Sequence, residues 1–114
     1  MDAVFIELPA FERNRNDYFD EESFADLLDA LMANPSAGDV IEGTGGLRKL
    51  RFADLRRGKG KRGGLRIIYY FWTGGPEFWL FTVFDKNEMS DLTPRQREVL
   101  RESLKRELKT RRTS

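Results

Sequence analysis

The chain has no cysteine and no histidine in its 114 residues. Without cysteine there is no disulfide framework and no thiolate nucleophile. Without histidine the usual general base at neutral pH and the commonest metal ligand are both missing. Carboxylates alone suit hard cations rather than zinc, so no metal and no cofactor is expected. No apolar run approaches the roughly twenty residues that a membrane helix needs. The acidic N-terminus has no signal-peptide pattern, so no membrane partner is expected. A phosphate-binding P-loop is also lacking. The run Gly43-Thr44-Gly45-Gly46 has no Lys-Ser/Thr behind it and no strand directly before it. The length predicts one domain over residues 1–114.

What the chain does have is segregated charge. The formal net charge is only +1. Residues 1–43, however, hold eleven acids against two bases, Arg13 and Arg15, a balance of −9 that leaves +10 for the rest. The positive charge peaks between Leu47 and Arg66 (LRKLRFADLRRGKGKRGGLR), where nine of the chain's 20 Lys and Arg meet a single acid, Asp54. Such a density cannot be buried; it faces water or a polyanion. A polyanion on one face and solvent or a partner on another is the arrangement this segregation suggests.

The pattern predicts β-α-α-β-β-β-α. A first strand covers Ala3 to Leu8 by alternation. Pro9 suits the first turn of a helix running to Tyr18. Asp20 is an N-cap, and Phe24, Leu27, Leu28, Leu31 and Met32 form a helical stripe that Asn34-Pro35 ends. Residues 36–46 read as a glycine-bearing loop, and Leu47 to Ala53 as the second strand. There Lys49 and Arg51 share one face, while Leu50 and Phe52 share the other. Leu65–Trp72 and Glu77–Phe84 are the strongest strand signals, joined by Thr73-Gly74-Gly75-Pro76 as a hairpin. Thr93, Pro94 and Gln96 form a capping box for a last helix with Val99, Leu100, Leu104 and Leu108 as its apolar stripe. Residues 110–114, with Arg111 and Arg112, read as a frayed tail. A hairpin-rich sheet with helices packed on one side is an α+β fold.

By themselves a basic glycine-rich loop is most often solvated, and aromatics such as Tyr69, Trp72 and Trp79 are most often core. The runs GTGGLRKLR, GKGKRGGLRIIYYF and KNEMSDLTPRQR are more specific. Together with the element order, they resemble the RelE superfamily of toxins, and within it the HigB type. The resemblance runs from the first strand through the last helix.

It implies a ribosome-dependent mRNA endonuclease of a type II toxin–antitoxin pair in the bacterial cytoplasm. Its partners would be mRNA, the ribosome (16S rRNA at the A site) and a HigA-like helix-turn-helix antitoxin. Operator DNA would be reached only through that antitoxin. The implied reaction is metal-independent attack of a ribose 2′-OH on the adjacent phosphorus, stabilised by fixed cations. Arg66 matches the family's strand arginine and is expected at the scissile phosphate. Lys59 and Lys61 match the basic loop, and Lys86 matches the lysine after the last strand. Lys49, Arg51, Arg56, Arg57 and Arg62 are expected to bind RNA, with Phe84 stacking on a base. Where many relatives carry Tyr or His, this chain has Phe84-Asp85-Lys86, which leaves Asp85 either a base or an ion-pair partner of Lys86. A non-catalytic RNA- or ribosome-binding module is the rival expectation.

Overall fold

The computed structural model describes residues 3–53, 64–89 and 91–113. Its elements begin with β1 (Val4–Glu7), α1 (Pro9–Tyr18) and α2 (Glu21–Ala33). Then come β2 (Asp39–Val40), β3 (Arg48–Phe52), β4 (Leu65–Trp72), β5 (Glu77–Asp85) and α3 (Pro94–Thr113). The fold is α+β, and among the described residues no helix is long and apolar enough to cross a membrane.

Local chemistry fixes the helix ends. Asp20 caps α2: its Oδ1 accepts the Ser23 N–H at 2.8 Å, and Ser23 Oγ accepts the Asp20 N–H at 3.0 Å. The reciprocal partner is a serine, not the usual Glu or Gln. At α3, Thr93 Oγ1 accepts the Gln96 N–H at 3.1 Å and Gln96 Oε1 accepts the Thr93 N–H at 2.8 Å. The C-terminus departs from expectation, since α3 runs through Thr113 and residues 110–113 are helical, not frayed. Arg111 explains the difference. Its guanidinium lies 5.0 Å from the Trp79 ring centroid, with Glu107 at 3.4 Å and Glu77 at 3.9 Å.

The sheet order is β1-β5-β4-β3-β2, with β1 parallel to β5 and the other pairs antiparallel. The two residues of β2 lie in the stretch read as loop, so the expected order gains one strand. They pair with Lys49 and Arg48, a signal too short for alternation to reveal. The β4–β5 pairing slips near its middle. Ile68 opposes Thr82 and Tyr69 opposes Leu80, leaving Phe81 as a bulge.

Both faces of this sheet are covered, which corrects the expectation of helices on one side. On the first, Phe11, Phe19, Leu27 and Leu31 of the α1–α2 pair pack with Leu65, Ile67, Tyr69, Phe78, Leu80 and Val83. Burying those four side chains contributes roughly 6–12 kcal/mol. Helices this short are marginal alone, so docking rather than propensity holds them. On the second face, Leu92 and Leu104 join Ile41, Leu47, Ile68, Trp79, Phe81 and Phe84. Val99, expected in the buried stripe of α3, is 54% exposed instead.

Tyr69 ties the loop before β3 to this core. It is fully buried; its hydroxyl donates to Pro35 O at 2.7 Å and accepts the Gly38 N–H at 3.0 Å. Burial pushes the phenol's pKa up, against the Gly38 hydrogen bond and Arg48, so it remains a neutral donor. A Cβ at Gly38 would stand 2.9 Å from the Tyr69 ring and 3.0 Å from the Lys49 carbonyl, so the position demands glycine. Tyr69→Phe strands two polar partners and should destabilise the fold by about 1–3 kcal/mol. Urea unfolding would show this as a lowered midpoint at unchanged slope; an unchanged midpoint would refute the role given to the hydroxyl.

Candidate nucleic-acid interface

Strand register assembles a row of cations. Arg51 of β3 opposes Arg66 of β4, and Arg66 opposes Phe84 of β5. Lys49 lies two residues along β3, opposite Ile68. Leu65 and Ile67 belong to the first core and Ile68 to the second. Arg66 therefore points to the α3 side of the sheet, and Arg51 and Lys49 share that side. Directly opposed residues have Cα atoms about 4.5–5.5 Å apart, so two guanidinium groups start from adjacent roots.

Arg66 is only 4% exposed, and its Nη1 donates to Leu65 O at 3.1 Å. Its pKa is lowered, first by burial and then by Arg51, with Asp91 acting the other way. Like charges directly opposed destabilise a sheet. An anion over this pair would relieve that repulsion.

An acid already stands beside it. Asp91 Oδ1 takes Lys49 Nζ at 3.1 Å and the Leu92 N–H at 2.8 Å, and its Oδ2 lies 3.7 Å from Arg97. The Leu92 hydrogen bond holds the carboxyl below its ordinary range, helped by Lys49 and Arg97 and opposed by burial. Asp91 and Arg97 were missed in the sequence. A lone acid two residues before a helix cap looks like any turn residue, and its partner Lys49 is 42 positions away. The start of α3 thus borders the row, where the positive end of the helix dipole adds to the potential.

Of the expected site residues, Lys49, Arg51 and Arg66 form one patch. Lys59, Lys61, Arg56, Arg57 and Arg62 lie outside the described residues. Phe52 pairs with Leu65 at the end of β3, so the chain leaves and re-enters the sheet next to Arg51 and Arg66. Lys86 follows β5, its N–H donating to Gly64 O at 3.1 Å; it makes no ion pair among the described residues. Phe84 is 6% exposed within the second core. A ring packed there offers little face to a base, so base stacking by Phe84 is not supported. Asp85 is 2% exposed, and its Oδ1 accepts the Asn87 N–H at 2.8 Å, which closes the turn after β5. Among the described residues no cluster of acids could hold a metal ion.

No model of a known protein family matches the chain. The chemistry of the patch therefore stands on its geometry: a buried arginine fixed in a central strand, two flanking cations, and one carboxylate at the rim.

The coupling of Asp91 to Lys49 has a measurable sign. A carboxyl with a depressed folded pKa adds stability above its unfolded value near 3.9, lost as pH falls through the folded value. The Asp91 carboxyl should therefore titrate below the ordinary aspartate range by NMR. In Lys49→Ala the midpoint should rise, yet remain low because the Leu92 N–H persists. A midpoint unmoved by Lys49→Ala would refute the contact's electrostatic role.

Proposed function

We propose that the chain is a RelE-type toxin of the HigB kind, a ribosome-dependent mRNA endonuclease acting in the bacterial cytoplasm and neutralised by a HigA-like antitoxin. The observation that carries this reading is the opposed pair Arg51–Arg66 on the α3 side of the sheet, with Lys49 beside it. A phosphodiester over that pair meets planar guanidinium groups able to grip two oxygens at once.

In the proposed reaction the ribose 2′-oxygen bonds to phosphorus and the bond from phosphorus to the 5′-oxygen breaks. The products are a 2′,3′-cyclic phosphate and a 5′-hydroxyl. The 2′ proton passes to a base, a role proposed for Lys59 or Lys61. The leaving 5′-oxygen takes up a proton, and Lys86 is the proposed cation on that side. Arg66 stabilises charge on the non-bridging oxygens, where a fixed donor acts without reorganising. Lys49 and Arg51 hold the flanking backbone. Such a site depends on the RNA being delivered in line, which fits a requirement for the ribosome.

Arg66→Ala should lower the single-turnover cleavage rate on saturating ribosomes by about 2–4 kcal/mol of transition-state stabilisation. Ribosome affinity should change much less, because several cations share that task. A folded Arg66→Ala protein that cleaves at the wild-type rate would remove Arg66 from the mechanism. Cleavage should also persist in EDTA on ribosomes kept intact by polyamines; strong inhibition would overturn the metal-independent route. Wild-type protein that binds ribosomes without cutting would select the non-catalytic binding module.

A further inference from the structure

The carboxylate at the rim of the cation row makes contacts of the kind a phosphate would make. Asp91 is met from two elements, by Lys49 Nζ of β3 at 3.1 Å and by Arg97 Nη2 of α3 at 3.7 Å. It also lies close enough to Arg66 of β4 to act against the effect of burial on that arginine. Its neighbours hold it in place. Leu92 is buried in the second core, and Thr93 is tied to Gln96 by the capping box of α3. On the other side, the Met89 N–H donates to Asp85 O at 3.0 Å, and the Met89 sulfur accepts from Gln96 Nε2 at 3.3 Å. A carboxylate anchored so stays beside its cations at a high effective concentration. Yet half of its side chain is exposed, and exposed ion pairs are weak. An anion held at further points can therefore displace it.

We propose that Lys49 and Arg97 form a second phosphate subsite beside the Arg51–Arg66 pair, and that the Asp91 carboxylate is its resident competitor. The inference rests on the reading of this patch as an RNA site. Lys49 and Arg51 are two residues apart on β3, a step of about 6.6 Å along the strand. Successive phosphates of an extended RNA strand can thus face the two positions in turn. One carboxylate against two cations leaves the subsite attractive but weakened. A phosphate held nowhere else gains little by replacing a carboxylate already in place. An RNA strand gripped at several points brings its phosphate at a high effective concentration of its own and displaces the acid. Asp91 thereby discriminates against loose RNA in favour of RNA presented in a fixed geometry, and Arg97 joins the RNA-binding residues.

The test is binding of a short single-stranded RNA to the full chain, without ribosomes, followed by fluorescence anisotropy over a series of salt concentrations. Asp91→Asn keeps the shape and an acceptor for the Leu92 N–H, so thermal unfolding should stay close to wild type. Asp91→Ser, which also keeps an acceptor there, serves as a second variant. Asp91→Asn should bind about fivefold tighter at low salt. The slope of log affinity against log salt should steepen by about 0.7, the mark of one more phosphate neutralised. A role in folding alone would move neither. Adding Lys49→Ala should take back most of the gain, because the freed cation is then missing. Affinity and slope unchanged in both Asp91 variants would overturn the competitor and leave standing the endonuclease reading, which cleavage on ribosomes judges separately. A gain of the same size without Lys49 would overturn the subsite. No RNA binding at low salt, by wild type or variant, would overturn the subsite together with the reading of the patch as an RNA site.

Discussion

A sheet whose central strands are apolar on both faces must be covered twice. In β4 and β5 nearly every residue from Leu65 to Tyr69 and from Phe78 to Phe84 is buried, so the other elements arrange themselves around that demand. The α1–α2 pair closes one face. On the other, α3 is anchored over Trp79 by Arg111 near its end, and its start stands over Leu92 and Asp91. Arg66 lies on that second face at 4% exposure, opposite the exposed Arg51.

That placement gives the patch its character. Arg66 has the rigidity of a central strand and little solvent to screen it, and Arg51 is held opposite by the ladder. A preorganised cation loses nothing in reorganisation when charge develops above it. Asp91 at the rim partly neutralises the patch without filling it, because its oxygens are committed to Lys49, Leu92 and Arg97. Met89, Leu92 and Thr93, which flank Asp91 of this patch, also line a groove along α3.

The features legible in the sequence are local ones. Asp20 and Thr93 announced their helices because a cap is written within four residues. The hairpin of β4 and β5 was bounded by its turn and its aromatic runs, and the side of the sheet taken by Arg66 followed from Leu65 and Ile67. The features that escaped depend on contacts between distant residues. The strand β2 exists because Arg48 and Lys49 pair with it. The last turn of α3 is ordered because Arg111 meets Trp79, 32 positions earlier. Phe84 read as an exposed stacking ring, yet the second core claims it. Asp91 became part of the site only when β3 brought Lys49 to it. Val99 fell in the expected apolar stripe, but the helix turns it outward into a groove.

The central claim is that these cations promote transfer of a phosphodiester to its own 2′-oxygen. The chemistry of the cut ends tests it most directly. Messenger RNA programmed on purified ribosomes would be exposed to the wild-type protein and both new termini identified by mass spectrometry. The account predicts a 2′,3′-cyclic phosphate on the upstream fragment and a 5′-hydroxyl on the downstream one. A 5′-phosphate with a free 3′-hydroxyl would mean that water, not the ribose, attacked, and would contradict it.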